Sequence, residues 1–479
     1  MLASRTFTMA DQIRFATVSG DHNPMHLDAT FARRTQAGEP AVHGIHLLLW
    51  ALDVLARADG GQPAIRRLTA RFSRFVAVDA MVATVPAKRN QANARFDLVL
   101  DLVVAGLTVA QITVDYGVPA RAPEALFCNA VSAPAEPYNL ALEQMERMSG
   151  RLAFASTPES VATMFPALSG WLGSRRLAAL ATSSLLVGMV CPGLHSIYGS
   201  LAVDACDEKD PEDGLNFRVV SADPRFRLVR LAIVGGGLSG TIESLLHVPP
   251  VSQASSHELI DLVEPGEFAG STALVVGGSR GLGEVTAKLL AMGGAKVVIT
   301  YRVGRTEADA VVGDIRAAGG ICNALAYDAG KAAEPQLSTL GAAPTHAYYF
   351  ASPTIFRAKS ALFARARLDA FLDTYVDGFL GLAQALRARR SDVSLFYPSS
   401  DFVVERPRGM IEYAMAKAAG ENLCSEMNLT WAPLHATVER LPRLLTDQTA
   451  SIIGTRFVSS AERLLPVLRK VQSWTLQAA

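Results

Sequence analysis

Two sets of residues carry chemistry by type and spacing. Near the N-terminus, Ser19-Gly20-Asp21-His22-Asn23-Pro24-Met25-His26 places a carboxylate and an imidazole five positions apart on one short loop. Such a pair is the raw material of general acid–base catalysis. The residues alone leave a blander reading open, in which Asp21 caps a helix, Asn23-Pro24 makes a turn, and His22 and His26 are solvated. Much later come Tyr413 and Lys417, four positions apart and therefore on one face of a helix. A tyrosine at its ordinary pKa of about 10 exchanges protons poorly near neutrality, and a neighbouring ammonium favours the phenolate. Tyr-x-x-x-Lys by itself is common by chance.

A third pattern ties the later pair to a cofactor. In GGSRGLG, Gly277, Gly281 and Gly283 stand where a strand, TALVV, turns into a helix, EVTAKLLAMGG, with Ser279, Arg280 and Leu282 between them. Glycines there let a pyrophosphate approach the backbone N–H groups at the helix start, so a dinucleotide is expected. The second strand ends Val298-Ile299-Thr300-Tyr301-Arg302, without the acid that binds the ribose hydroxyls of NAD. Arg302 and Arg280 could instead meet a 2′-phosphate, which makes NADP(H) the expected cofactor. The alternative is that both arginines merely face solvent.

The elements that must position these groups follow from composition and periodicity. A chain of 479 residues exceeds one hydrophobic core and predicts about three domains. Forty-five basic residues balance 45 acidic ones, so no charge field points to nucleic acid or an anionic membrane. Cys128, Cys191, Cys206, Cys322 and Cys424 lack metal or disulfide spacing, which fits a reducing cytoplasm and no metal site. MLASRTFTMADQIRF lacks the apolar core of a signal peptide, so Met1 is read as the mature start. Leu177 to Val203 has no Asp, Glu, Lys or Arg and is long enough to span a membrane, but its Ser, Pro, Gly and His residues favour a buried helix turning into a strand.

HGIHLLLWALDVLAR is apolar nearly all round, as a buried helix is, and long strand-like runs follow it. The same order of elements recurs after residue 126. We therefore expect a duplication over 1–125 and 126–250, with a sheet edge of one copy free to pair with the other. A Pro- and Ser-rich linker is expected at 251–270. The strand–turn–helix alternation over 271–479 predicts an α/β doubly wound parallel sheet.

With these residues in place, the C-terminal part resembles the short-chain dehydrogenase/reductase family over most of 270–445. Ser400, thirteen residues before Tyr413, completes the family's serine, tyrosine and lysine. The resemblance implies that Tyr413 is the acid/base, Lys417 tunes it and holds the ribose, and Ser400 binds the substrate carbonyl. It also places Asp328 and Ala351 at the cofactor. The chain departs from the family at Tyr349-Phe350-Ala351-Ser352, at Asp377 where a helix asparagine is expected, and at Pro442-Arg443; no seventh strand is evident.

The N-terminal loop, followed by FARRT, a Gly/Pro loop and Val42-His43-Gly44, resembles the MaoC-like dehydratases and (R)-specific enoyl-CoA hydratases over residues 10–120. The implied fold is an α+β double hot-dog, catalytic in its first half only. The implied chemistry is water addition or removal beside a thioester. Asp21 and His26 grip the water, Asn23 orients the loop or the water, and backbone N–H groups around His43 and Gly44 receive the enolate oxygen. His195 in the second copy is read as a core or tunnel histidine.

The two resemblances together imply a bifunctional enzyme. NADPH-dependent reduction of a 3-oxoacyl thioester, on CoA or acyl carrier protein, would precede dehydration to the trans-2-enoyl form. The reverse, degradative sequence is one alternative, and a reductase unit reduced to a binding module is another. A homodimer or higher homo-oligomer is expected by family likeness.

Overall fold

A computed structural model describes the chain except residues 59–63, 93–94, 120–128, 208–212, 354, 356–362, 450–457 and 479, and the side chains of 88–97 and 474–479. It divides into two compact units, Met1–Pro249 and Pro250–Ala450 with Thr455–Ala479. The boundary expected at 125/126, and Cys128, lie outside the described residues.

In the first unit ten strands form one antiparallel sheet. They are β1 (Ala3–Thr6), β2 (Ile65–Phe72), β3 (Met81–Ala92), β4 (Arg95–Val104), β5 (Leu107–Tyr116), β6 (Ser149–Ala153), β7 (Ser196–Ala205), β8 (Gly214–Asp223), β9 (Leu228–Gly235) and β10 (Leu238–Leu246). Their spatial order is β1-β3-β4-β5-β2-β7-β10-β9-β8-β6. Numbered within each half, both run first, third, fourth, fifth, second, and the halves meet through their second strands. That seam pairs Arg67 with Asp204 and Arg71 with Ser200, so the free edges of the two halves satisfy each other.

Each half lays a buried helix on the sheet. Helix α1 (Met9–Ser19) leads to the Asp21 loop, and α2 (Gly44–Ala58) buries ten of its residues. In the second half α3 (Ser174–Leu185) is buried continuously from Leu177, packs on α2, and runs into a π-helical turn, Leu186–Val190. The segment 177–203 is thus a buried helix, a turn at Cys191-Pro192 and the strand β7. Among the described residues no helix is long and apolar enough to cross a membrane.

The second unit holds six parallel strands, β11 (Thr272–Val276), β12 (Lys296–Tyr301), β13 (Ile321–Ala326), β14 (His346–Tyr349), β15 (Ser394–Ser400) and β16 (His435–Leu441). Their order, β13-β12-β11-β14-β15-β16, is that of a doubly wound dinucleotide-binding sheet. Helix α4 (Gly281–Met292) follows β11, and α5 (Ile411–Thr430) carries Tyr413 and Lys417. The described residues add no seventh strand. The stretch expected as a linker is not a free tether. Ser255 caps a short helix with Glu258, Ser256 bonds Asp314 through backbone and hydroxyl at 2.9 and 2.8 Å, and buried Phe268 packs where only Gly293 leaves room.

Candidate functional sites

Helix α1 ends at Gly20, whose φ of 80° is the left-handed conformation and whose Cβ, if present, would lie 2.7 Å from that of Ala155. The chain therefore turns sharply and delivers Asp21 into the interior, where it is 2 % exposed. Asn23 accepts from the Met25 N–H at 3.0 Å and so caps the short helix Pro24–Leu27, with proline at its first position. That single turn carries His26. Asn23 also donates to the carbonyls of Gly188, Gly193 and Leu194 at 2.8, 3.2 and 3.4 Å. These bonds tie the Asp21 loop to the second half of the unit.

His26 Nδ1 lies 2.7 Å from the Ala41 carbonyl, which accepts only from an N–H. In the neutral ring Nε2 is then an open base. His26 stacks on His43 with centroids 3.8 Å apart. One ligand atom from each of Asp21, His26 and His43 lies within 4.8 Å of the others, a spacing that admits a water molecule.

His43 departs from expectation. Its backbone N–H donates to Gln12 Oε1 at 3.1 Å, and its ring spans Gln12 Oε1 (2.9 Å, from Nδ1) and the Asp21 carbonyl (3.1 Å, from Nε2). The N–H expected to serve an oxyanion is therefore already engaged, and the ring braces the loop. The Gly44 N–H, first on α2, has no acceptor among the described residues and remains the available donor. Burial drives the Asp21 carboxyl upward, opposed by His26 and by the Ser184 hydroxyl, and burial lowers His43 well below the usual imidazole range.

Sequence reasoning missed Gln12, Ser184 and Gly188. Ser184 Oγ donates to Asp21 Oδ2 at 2.6 Å, and a Cβ at Gly188 would fall 2.1 Å from Asp21 Oδ1. Both come from the half that lacks an acid–imidazole pair, and no sequence pattern links them to Asp21. His195 lies edge-on to His247, centroids 4.8 Å apart, and burial lowers both rings, His247 to about 4.

In the second unit the glycine turn forms a cradle. Gly277 has φ 78° and room for no Cβ beside the Phe350 backbone, and a Cβ at Gly283 would meet the Gly277 carbonyl at 2.3 Å. Ser279 is buried, and Leu282 packs on the core beneath. These residues fit a dinucleotide pyrophosphate. Arg302 is exposed at the end of β12, whereas Arg280 pairs at 3.3 Å with half-buried Asp447, whose side chain is 6 % exposed. Asp328 accepts from the Gly330 N–H at 3.1 Å, its own N–H goes to Gln336 at 2.7 Å, and Ala351 is half-buried just beyond β14.

Tyr413 and Lys417 share the buried face of α5, and Ser400 ends β15 beside them. Ser399 donates to Glu421 at 2.5 Å and is thereby turned to a different partner. Burial pushes the Tyr413 phenol up to about 12, with the Ser400 hydroxyl pulling the other way. Burial brings Lys417 down to about 7. Its Nζ donates to the Pro398 carbonyl at 2.7 Å and lies 3.9 and 4.9 Å from the ring centroids of Tyr375 and Tyr397. Asp377, expected at the asparagine position, is exposed. Tyr375, two residues earlier in the π-helical turn Asp373–Asp377, faces the ammonium instead and bonds Ser352 through its hydroxyl at 2.7 Å.

Residues 2–106 match the MaoC like domain family. An uncharacterized oxidoreductase of Methylorubrum extorquens is 45% identical over 68 residues, 14% of this chain and 27% of that protein. A 3-oxoacyl-[acyl-carrier-protein] reductase of Synechocystis sp. is 56% identical over 48 residues, 10% of this chain and 19% of that protein. The alignments thus span about a quarter or less of these curated relatives. A short chain dehydrogenase from Burkholderia cenocepacia, solved in complex with NADP, is 26% identical, covering 43% of this chain and 91% of that one with a TM-score of 0.38. Residues 2–106 thus carry the MaoC like domain match, and short stretches of the chain are similar to an oxidoreductase and to a 3-oxoacyl-[acyl-carrier-protein] reductase.

Proposed function

We propose that the protein is a bifunctional ketoreductase and dehydratase acting on a 3-oxoacyl thioester carried by CoA or acyl carrier protein. The carrying observation is the convergence of Asp21, His26 and His43 within 4.8 Å, within a MaoC like domain and in one chain with a Ser400/Tyr413/Lys417 set. On this reading the second half of the first unit is a hot-dog repeat, since its strand order copies that of the first.

NADPH held by Gly277, Ser279, Gly281 and Gly283 would supply the hydride. Ser400 would hold the substrate carbonyl, and Tyr413 would give its phenolic proton to the oxygen, leaving the 3-hydroxyacyl thioester. Arg302 is the residue that supports NADP(H) over NAD(H). In the water step the Asp21 carboxylate takes the proton from C2, and His26, protonated on Nε2, gives one to the departing C3 hydroxyl. The carbon–carbon double bond forms, water leaves, and the Gly44 N–H receives the charge that develops on the thioester oxygen.

Incubation with acetoacetyl-CoA and longer 3-oxoacyl thioesters plus NADPH, followed by mass spectrometry, tests both steps in order. Hydroxy product that is never dehydrated counts against Asp21 and His26. A clear preference for NAD would favour the degradative direction. A second reading, in which the reductase unit only binds, draws on the aromatic enclosure of Lys417; no NADPH-dependent reduction by the wild type, with overall turnover unchanged in a Tyr413→Phe variant, would support it.

A further inference from the structure

We propose that Ser184 is a positioning residue for the Asp21 carboxylate, so that the water-handling site is completed by the half of the first unit that has no acid–imidazole pair of its own. The proposal rests on the dehydratase reading and adds a residue lying outside the stretch that matches the MaoC like domain.

Three observations converge. The Ser184 hydroxyl has one proton, and it goes to Asp21 Oδ2 at 2.6 Å, the short distance of a bond to a charged acceptor. The neighbouring Ser183 spends its proton differently, on the Leu180 carbonyl at 2.6 Å with Tyr198 at 3.0 Å, so the contact is not generic to serines of this helix. Gly188, four residues on, leaves a gap filled by the carboxylate itself: its Cβ would stand 2.1 Å from Oδ1 and 2.6 Å from Oδ2. The Gly188 carbonyl accepts from Asn23 at 2.8 Å, so the same π-helical turn grips both ends of the catalytic loop.

The chemistry needs this grip. Asp21 is buried, and burial favours the neutral acid, yet removing a proton from C2 requires the carboxylate. The charged and titratable groups around it are His26, His22 and His43 from its own half; from α3 and its turn come only the serine proton and the space at Gly188. Ser184 holds Oδ2, the Asn23 N–H holds Oδ1 at 3.2 Å, and the remaining lone pairs are left for the proton in transit.

The test uses the full chain and dehydration of 3-hydroxybutyryl-CoA, the direction in which Asp21 acts as the carboxylate, followed by gain of enoyl-thioester absorbance across pH. Ser184→Ala is expected to lower kcat by about 10- to 100-fold with KM little changed, and to move the acid limb of the kcat profile upward by about one pH unit. Ser184→Thr, which keeps the hydroxyl, should restore the limb. A Ser184→Ala profile like the wild type, or a Thr variant as impaired as Ala, overturns the proposal. Should Ser184→Ala not fold, Ser184→Cys replaces it; an intermediate limb is expected, and a wild-type limb overturns the proposal. Asp21→Asn separates the two ideas. If it stays active, the dehydratase reading falls and the proposal with it; if it is inactive while Ser184→Ala is unchanged, only the role of Ser184 is lost.

Discussion

The two centres solve the same problem, a buried ionisable pair, by opposite means. Around Asp21 almost every polar atom has a named partner: Ser184 and the Asn23 N–H on the carboxylate, Ala41 on His26, Gln12 on His43. What stays open, the Nε2 of His26 and the N–H of Gly44, is what chemistry on water and a thioester requires. Around Lys417 the surroundings are rings. One carbonyl takes its proton, the Tyr397 hydroxyl is buried with no partner among the described residues, and Tyr375 lays its face toward the ammonium. The first centre is complete as folded, whereas the second depends on what binds beside it.

The comparison breaks most visibly at the acids that define each centre. Asp21→Asn removes the proton acceptor and should cost the water step about 10⁴-fold while leaving NADPH oxidation by a 3-oxoacyl thioester unchanged. Tyr413→Phe should do the converse, slowing reduction by about 10²- to 10³-fold with crotonyl-CoA hydration intact. Paired assays on the two variants check both, and loss of both activities in either variant would show that the centres are not independent.

A smaller effect sharpens the contrast at Tyr375. Burial, the chief influence on Lys417, brings it to about 7, so reduction that needs the ammonium should decline as pH rises through that value. Tyr375→Leu keeps the site apolar but removes the ring face, worth about 0.5–2 kcal/mol to a cation, and should move that decline to lower pH by about 0.5 to 1 unit. Tyr375→Asn readmits a polar group and should move it upward. Rate–pH profiles at saturating NADPH decide, and equal shifts in the same direction would contradict the ring's role.

How far the sequence could be read follows the same division. Gly20, Asp21, Asn23 and His26 lie on one loop, so their spacing carries their geometry, and the strand–glycine–helix alternation foretold the parallel sheet because each βα turn is local. Ser184 and Gly188 stand some 160 residues from the carboxylate they hold, and it is the pairing of β2 with β7 and the packing of α3 on α2 that bring the halves together. Tyr375 beside Lys417 was unforeseen for a different reason. A π-helical turn carries an extra residue, so spacing counted along a regular helix selects the wrong face. Both sites are framed by such turns, where periodicity is least informative.

The histidines of the first unit allow a last and smallest test, separating imidazoles that act from one that only packs. His46 follows His43 by one turn of α2, but neither ring nitrogen has a partner among the described residues, and it stacks on Phe15 at 4.7 Å and meets Phe7 edge-on at 4.9 Å. Burial lowers it to about 3 from an ordinary 6.5. Between those values the unfolded chain binds a proton that the folded chain refuses, so stability falls as pH drops, by about 1.4 kcal/mol per unit for this one group. Below about 3 the folded ring is protonated too and the slope ends. His46→Phe removes the group and keeps the stacking, so denaturant unfolding at pH 7 and pH 5 should show a loss about 2 kcal/mol smaller in the variant than in the wild type, with crotonyl-CoA hydration unaltered. An identical loss in both would mean that the folded ring takes up its proton as readily as the unfolded one, so that His46 is open to water rather than sealed in the core.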